Sequence, residues 1–137
     1  MKKKRFEDLA LGESSWFEKT ITDADIFAFC GICGDFNPLH VSETFAQATR
    51  FNTRIAHGML SASLIDPTLT EIVGAGGIHV SQSIIFTAPV KVGDTIRVES
   101  TITEKIPEKR GLKIESVLTN QDGTIVITGT ASVRVPE

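Results

Sequence analysis

The hydrophobic pattern changes period after Gly77, and this change constrains the fold more than any other feature. Along "DTIRVESTITEKI", Ile96, Val98, Ser100 and Ile102 alternate with Thr95, Arg97, Glu99 and Thr101. Alternation of period two belongs to a strand with one buried and one wet face. "HVSQSIIFTAPV", "LKIESVLTN" and "TIVITGTASVRV" carry further strands. "KVGD", "IPEKRG" and "NQDG" supply the turns. The reading is three or four antiparallel strands in meander order. Before the change lies "GMLSASLIDPTLTEIVG", Gly58 to Gly74. Its apolar residues Leu60, Ala62, Leu64, Leu69, Ile72 and Val73 fall mainly at helical spacing with little polar face, which predicts a buried helix. Pro67 removes a backbone donor and should kink or interrupt it. A sheet with one apolar face must be covered, and this helix is the available cover. The expected class is α+β, an antiparallel sheet wrapped around a central helix.

The N-terminal third is mixed. "SSWFEKTI" has strand-like residues. "TDADIFAFCGICG" reads as a helix, with Thr22 as N-cap and Asp23 and Asp25 in the first turn, where the dipole favours acids. Ile26, Phe27, Phe29 and Cys30 would form its apolar face, and Gly34 its stop. "DFNPLH" should be irregular, because Pro38 pushes Asn37 out of helical geometry. Ser42 can cap a short helix over "ETFAQAT", followed by the loop "RFNTRIAHG".

At 137 residues, one domain spanning 1–137 is the natural organisation, and its core needs no staples. With 17 acids against 14 bases the net charge is −3, which implies no general affinity for nucleic acid. "KKKR", Lys2 to Arg5, reads as a solvated tail. No apolar run approaches the roughly 20 residues of a membrane span, and no apolar segment follows the basic start as in a signal peptide. Two cysteines without a signal peptide predict reduced thiols in the cytoplasm.

Two signatures overlap in "FCGICGDFNPLH". Cys30 and Cys33 form a C-x-x-C pair, but at the end of a helix, where the dipole disfavours a thiolate. A zinc site would need two more ligands at suitable spacing, and none follow. Both cysteines therefore read as small, buried apolar residues. Asp35 and His40 are different. Asn37 and Pro38 force a turn between them, which can bring both side chains to one side. With reference pKa values of roughly 3.9 and 6.5, a carboxylate and an imidazole make an acid–base couple near neutrality. The same residues also serve as ordinary turn and capping residues. Gly58 stands at the start of the buried helix, where N–H groups lack internal partners. Without a side chain there, a ligand carbonyl can approach closely, as in an oxyanion hole. His57 reads as a loop or helix-start contact, and His79 as a structural residue opening a strand. Arg50, Arg54 and Arg110 are as readily solvated as bound.

"GDFNPLH", followed by "AQATRFNTRIAHGMLSASLI", resembles the signature of the MaoC-like (R)-specific enoyl-CoA hydratases, in particular the single-domain bacterial type that feeds polyhydroxyalkanoate synthesis. The resemblance extends through "QSIIFTAPVKVGD" to the closing "VITGTASVRVP". It implies a hot-dog fold, a long helix wrapped by a curved antiparallel sheet, paired into a homodimer or higher assembly. It implies that Asp35 and His40 are the catalytic pair, that Gly58 N–H binds the thioester carbonyl, and that Asn37 organises their loop. The implied reaction is reversible syn hydration of a trans-2-enoyl-CoA to an (R)-3-hydroxyacyl-CoA. No metal or other cofactor is implied, coenzyme A being part of the substrate. A thioester on acyl carrier protein would use the same residues. Two other readings remain: an acyl-CoA thioesterase, and a non-catalytic acyl-thioester binding module. Pro67 and "TEIVGAGG" depart from the family pattern, and the acyl pocket is expected there.

Overall fold

The computed structural model describes residues 1–136. Strand β1 (Ser14–Thr20) leads into α1 (Asp23–Cys33), then α2 (Pro38–Val41) and α3 (Glu43–Gln47). Two helices, α4 (Gly58–Ala62) and α5 (Ile65–Val73), precede β2 (Ile78–Phe86), β3 (Thr95–Ile106), β4 (Gly111–Thr119) and β5 (Ile125–Arg134). The strands form one antiparallel sheet in the order β1-β3-β4-β5-β2.

Period two sets the faces. Ile96, Val98, Ser100 and Ile102 of β3 are buried, and so are Leu112, Ile114, Ser116 and Leu118 of β4. Leu69, Ile72 and Val73 of α5 join them in one core. Each such side chain withdrawn from water contributes about 1.5–3 kcal/mol. A chain of hydroxyls crosses this apolar layer. Thr68 of α5 donates to Ile65 O at 2.6 Å, so it accepts from Ser100 Oγ at 2.6 Å, and Ser100 accepts from Ser116 at 2.7 Å. The chain fastens the helix to two strands.

The meander holds for β3, β4 and β5, but β2 pairs with β5 instead of β3. Alternation specifies which face is buried and leaves the neighbouring strand open. The expected single central helix is two helices. The chain turns at Ser63 and Leu64, and α5 begins at Ile65. Pro67 thereby falls in the first turn of α5, where its missing N–H would have no intrahelical partner.

Helix α1 starts at a capping box: Thr22 Oγ1 accepts from Asp25 N, and the Asp25 carboxylate accepts from Thr22 N at 2.8 Å. Gly34 closes it at φ 80°, in the left-handed region open to glycine. Only Ile26 and Cys30 are buried, with Phe29 packed beside them. Phe27 and Cys33 are exposed, contrary to expectation, because a surface helix turns one stripe inward and Phe27 lies off that stripe. Nor is "DFNPLH" wholly irregular. Pro38 stands at N1 of α2, a position that suits proline, and Asn37 caps it by accepting from Leu39 N at 3.1 Å. The basic start is not a free tail: Arg5 pairs with Asp8 at 2.7 Å, and Lys4 with Glu13 at 3.4 Å. No helix among the described residues is long and apolar enough to cross a membrane.

Candidate active site

The turn after Gly34 releases Asp35 from α1. Asp35 Oδ1 accepts from Asn37 N at 3.0 Å, and Asn37 then caps α2. These two local bonds set the direction of the four-residue helix that carries His40. The imidazole is buried, and its Nδ1 lies 2.7 Å from Ile55 O. A carbonyl only accepts, so Nδ1 carries a proton, and in the neutral ring Nε2 is then the bare nitrogen. That Nε2 faces Asp35 Oδ2 at 3.9 Å. The gap is too long for a direct hydrogen bond and suits one small reactant held by both groups. The side chain of Asp35 stays half exposed, so the pair is open on one side.

His57 lies beneath them. Its Nε2–H donates to Asp35 O at 3.0 Å, and Cys30 Sγ lies 3.6 Å from the same nitrogen. Its ring stacks on His40 with centroids 3.8 Å apart, and meets Phe29 at 5.1 Å. Gly58 follows as the first residue of α4, and its N–H finds no acceptor among the described residues. Asp35, His40, His57 and Gly58 line a cavity of about 300 Å³. A second cavity of about 440 Å³ shares Gly58 and Met59 as a common wall. The site therefore offers a carboxylate, an imidazole nitrogen and a backbone donor around one small space.

With this geometry in view, residues 10–123 match the family described as MaoC like domain. The chain belongs to the MaoC-like family. It is 47% identical over 132 residues to an (R)-specific enoyl-CoA hydratase of Rhodospirillum rubrum, covering 96% of this chain and 91% of that one. It is 41% identical to a 3-hydroxybutyryl-CoA dehydratase of Methylorubrum extorquens, covering 96% and 84%. Among solved structures, the (R)-hydratase from A. caviae involved in PHA biosynthesis superposes with a TM-score of 0.91 at 35% identity, covering 95% of this chain and 99% of that one. The architecture is the hot-dog fold expected, α+β, with its central helix in two pieces.

The MaoC-like chain brings together all four residues read from its sequence. Asp35 and His40 face each other, Asn37 shapes their loop, and Gly58 borders the same cavity. Glycine at position 58 has a further cause that the sequence did not reveal. A Cβ there would lie 2.7 Å from Cε1 of Phe86, so the ring of β2 occupies the side-chain position. His57 is the residue underweighted by sequence reading. Its adjacency to Gly58, at the mouth of a buried helix, was the available signal. His79, read as structural, lies with Nδ1 3.1 Å from Asp66 Oδ1. Arg54 is bound, pairing with Asp23 at 2.7 Å and Glu43 at 3.5 Å. Burial pushes the Cys30 thiol up, with the neighbouring Cys33 and Asp35 adding to the shift. Asp35, His40 and His57 also set one donor atom each within 4.8 Å of one another, a spacing a metal ion could use. Of the "TEIVGAGG" stretch, where the acyl pocket was expected, Glu71 and Ile72 line a separate cavity of about 320 Å³, and the two cavities at Gly58 do not reach it.

Proposed function

We propose that this protein is an (R)-specific enoyl-CoA hydratase, adding water reversibly to a trans-2-enoyl-CoA. The observation that carries this reading is His40 Nε2 facing the Asp35 carboxylate at 3.9 Å, next to the unpaired Gly58 N–H. Asp35 and His40 hold a water between them. One water proton passes to the pair as the oxygen bonds to C3. Negative charge moves to the thioester oxygen, where Gly58 N–H stabilises the enolate. The pair then returns a proton to C2, so that water adds from one side and the pair is restored. Asn37 keeps the loop in register. Helix α4 has only five residues, so the donor acts as a local N–H more than as the end of a long dipole. The thioester itself acidifies C2, and the reaction needs no metal or redox cofactor.

The partner in assembly is a second copy of this chain. Strand β2 is an outer strand whose Ile78, Val80, Ile85 and Phe86 are exposed. Pairing two such edges would satisfy their backbone groups and cover these side chains. The carrier is coenzyme A, with acyl carrier protein as the related alternative, and the free thiols Cys30 and Cys33 fit a cytoplasmic enzyme. The similarity to the A. caviae enzyme supports a role in supplying (R)-3-hydroxyacyl units for polymer synthesis.

Crotonyl-CoA tests the reading through the absorbance of its conjugated thioester, with chiral analysis of the product. Wild type should bleach the band and form (R)-3-hydroxybutyryl-CoA, with or without a chelator. Asp35→Asn and His40→Gln should each lose about 10²–10⁴-fold in rate. A folded wild type that leaves the band intact at every chain length sinks the proposal. Release of free thiol would then indicate a thioesterase.

A further inference from the structure

The C-x-x-C pair takes no part in the hydration chemistry, and the fold sets its two thiols apart. Cys30 is buried on the inner stripe of α1, with Sγ 3.6 Å from His57 Nε2. Cys33, in the last turn, is exposed. It follows Phe29 by four residues, so the two side chains share one face of the helix. Both line the cavity of about 300 Å³ that holds Asp35, His40 and Gly58. An accessible thiol thus stands in the wall of the catalytic space. A second feature of that wall points to an occupant. His57 is 4% exposed, and its Nδ1 has no hydrogen-bond partner among the described residues. With Nε2–H given to Asp35 O, Nδ1 of the neutral ring is an acceptor. An orphaned buried acceptor is costly, and a donor brought by a bound molecule relieves it.

We propose, resting on the reading that this cavity receives the thioester, that Cys33 is a site of reversible thiolation by a small peptide disulfide of the glutathione kind, and that the adduct shuts the site. The Cys33 thiolate attacks one sulfur of the disulfide. A new S–S bond forms at Cys33 and the reagent's own S–S bond breaks. The second half leaves as a thiolate and takes up the proton that Cys33 gave off. Cys33 is oxidised and the reagent reduced, so no further oxidant is needed. The attached peptide fills space in front of Asp35 and His40, and its amide N–H groups supply the donor that His57 Nδ1 lacks. The dipole at the end of α1 works against the thiolate, so the exchange is slow and an excess of disulfide drives it. Cys30 is not the target, because its thiol is withdrawn from solvent.

Glutathione disulfide is the probe, with intact mass and crotonyl-CoA hydration followed on the same samples. Wild type should gain one tripeptide per chain, and its rate should fall in proportion to the fraction modified. Dithiothreitol should restore both. Excess butyryl-CoA, a saturated thioester that cannot be hydrated, should slow the modification, because it fills the same cavity. Cys33→Ser should gain no mass and keep, after treatment, the rate it had before. Full modification of Cys33 with an unchanged rate would overturn the proposal, as would inhibition of Cys33→Ser equal to that of wild type. So would a Cys30–Cys33 disulfide, seen as loss of both thiols without added mass. Calorimetric binding of butyryl-CoA separates this proposal from the hydratase reading. If unmodified wild type leaves crotonyl-CoA intact but binds butyryl-CoA, and thiolation abolishes that binding, the hydratase reading falls and the Cys33 site stands. If the unmodified chain does not bind butyryl-CoA, both fall.

Discussion

The imidazoles of His40 and His57 stack with centroids 3.8 Å apart and planes inclined by 29°. Each ring is also tied to a backbone carbonyl, His40 to Ile55 O and His57 to Asp35 O. One residue therefore positions both halves of the acid–base pair: it supports the His40 ring and holds the Asp35 main chain.

That arrangement predicts a split between rate and binding. His57→Phe keeps a flat ring against His40 and removes the donor to Asp35 O. Misplacing a reacting group by about 1 Å can cost about 10²-fold. The expected result is a fall in kcat of that order for crotonyl-CoA hydration, with KM little changed. Unchanged kcat would show that His57 only fills space.

Gly58 and Phe86 form a size-matched pair. In Gly58→Ala the backbone N–H survives, but the new methyl meets the ring at 2.7 Å. Overpacking in a close-packed core costs about 1–3 kcal/mol, and because the half-exposed Phe86 ring can give way the loss here falls at the lower end. Gly58→Ala should lower stability in urea unfolding, and Phe86→Leu in the same chain should recover part of the loss. Additive losses in the double variant would refute the packing account.

Ser100 is the middle of the buried hydroxyl chain between Thr68 and Ser116. Ser100→Ala should destabilise by about 1–3 kcal/mol, because Ser116 is left with a buried donor and no acceptor. Adding Ser116→Ala removes that orphan. The double variant should be no less stable than Ser100→Ala alone, as read from denaturant midpoints.

Asp25 gives a pH-dependent contribution. The Thr22 N–H, ahead of the ammonium of Lys19 at 3.0 Å, holds its carboxyl below the ordinary value of 3.8. A depressed folded-state value stabilises the protein above the ordinary value, and that stabilisation is lost as pH falls through the lower one. Asp25→Asn should therefore be less stable than wild type by about 0.3–1 kcal/mol at neutral pH. The gap should close in acid below pH 3.8, in unfolding curves taken across that range. A gap independent of pH would remove charge as its cause.

Much of the site was readable because it is local. Asp35, Asn37 and Leu39 are joined by hydrogen bonds two residues apart, and the proline between them restricts the chain. His57 was not readable in the same way. It reaches Asp35 O across 22 residues of chain, and nothing in "RIAHG" says which carbonyl its ring will meet.

By itself the sequence determined which faces of β3 and β4 are buried, where α1 is capped and stopped, and that Asp35 and His40 share a turn. These follow from backbone geometry, periodicity and hydrogen bonds between near neighbours. Tertiary structure decided that β2 pairs with β5, that the central helix breaks before Ile65, that Cys33 stays exposed, and that Phe86 fills the space beside Gly58. Those outcomes depend on how distant side chains share one close-packed volume, which no single stretch of chain specifies.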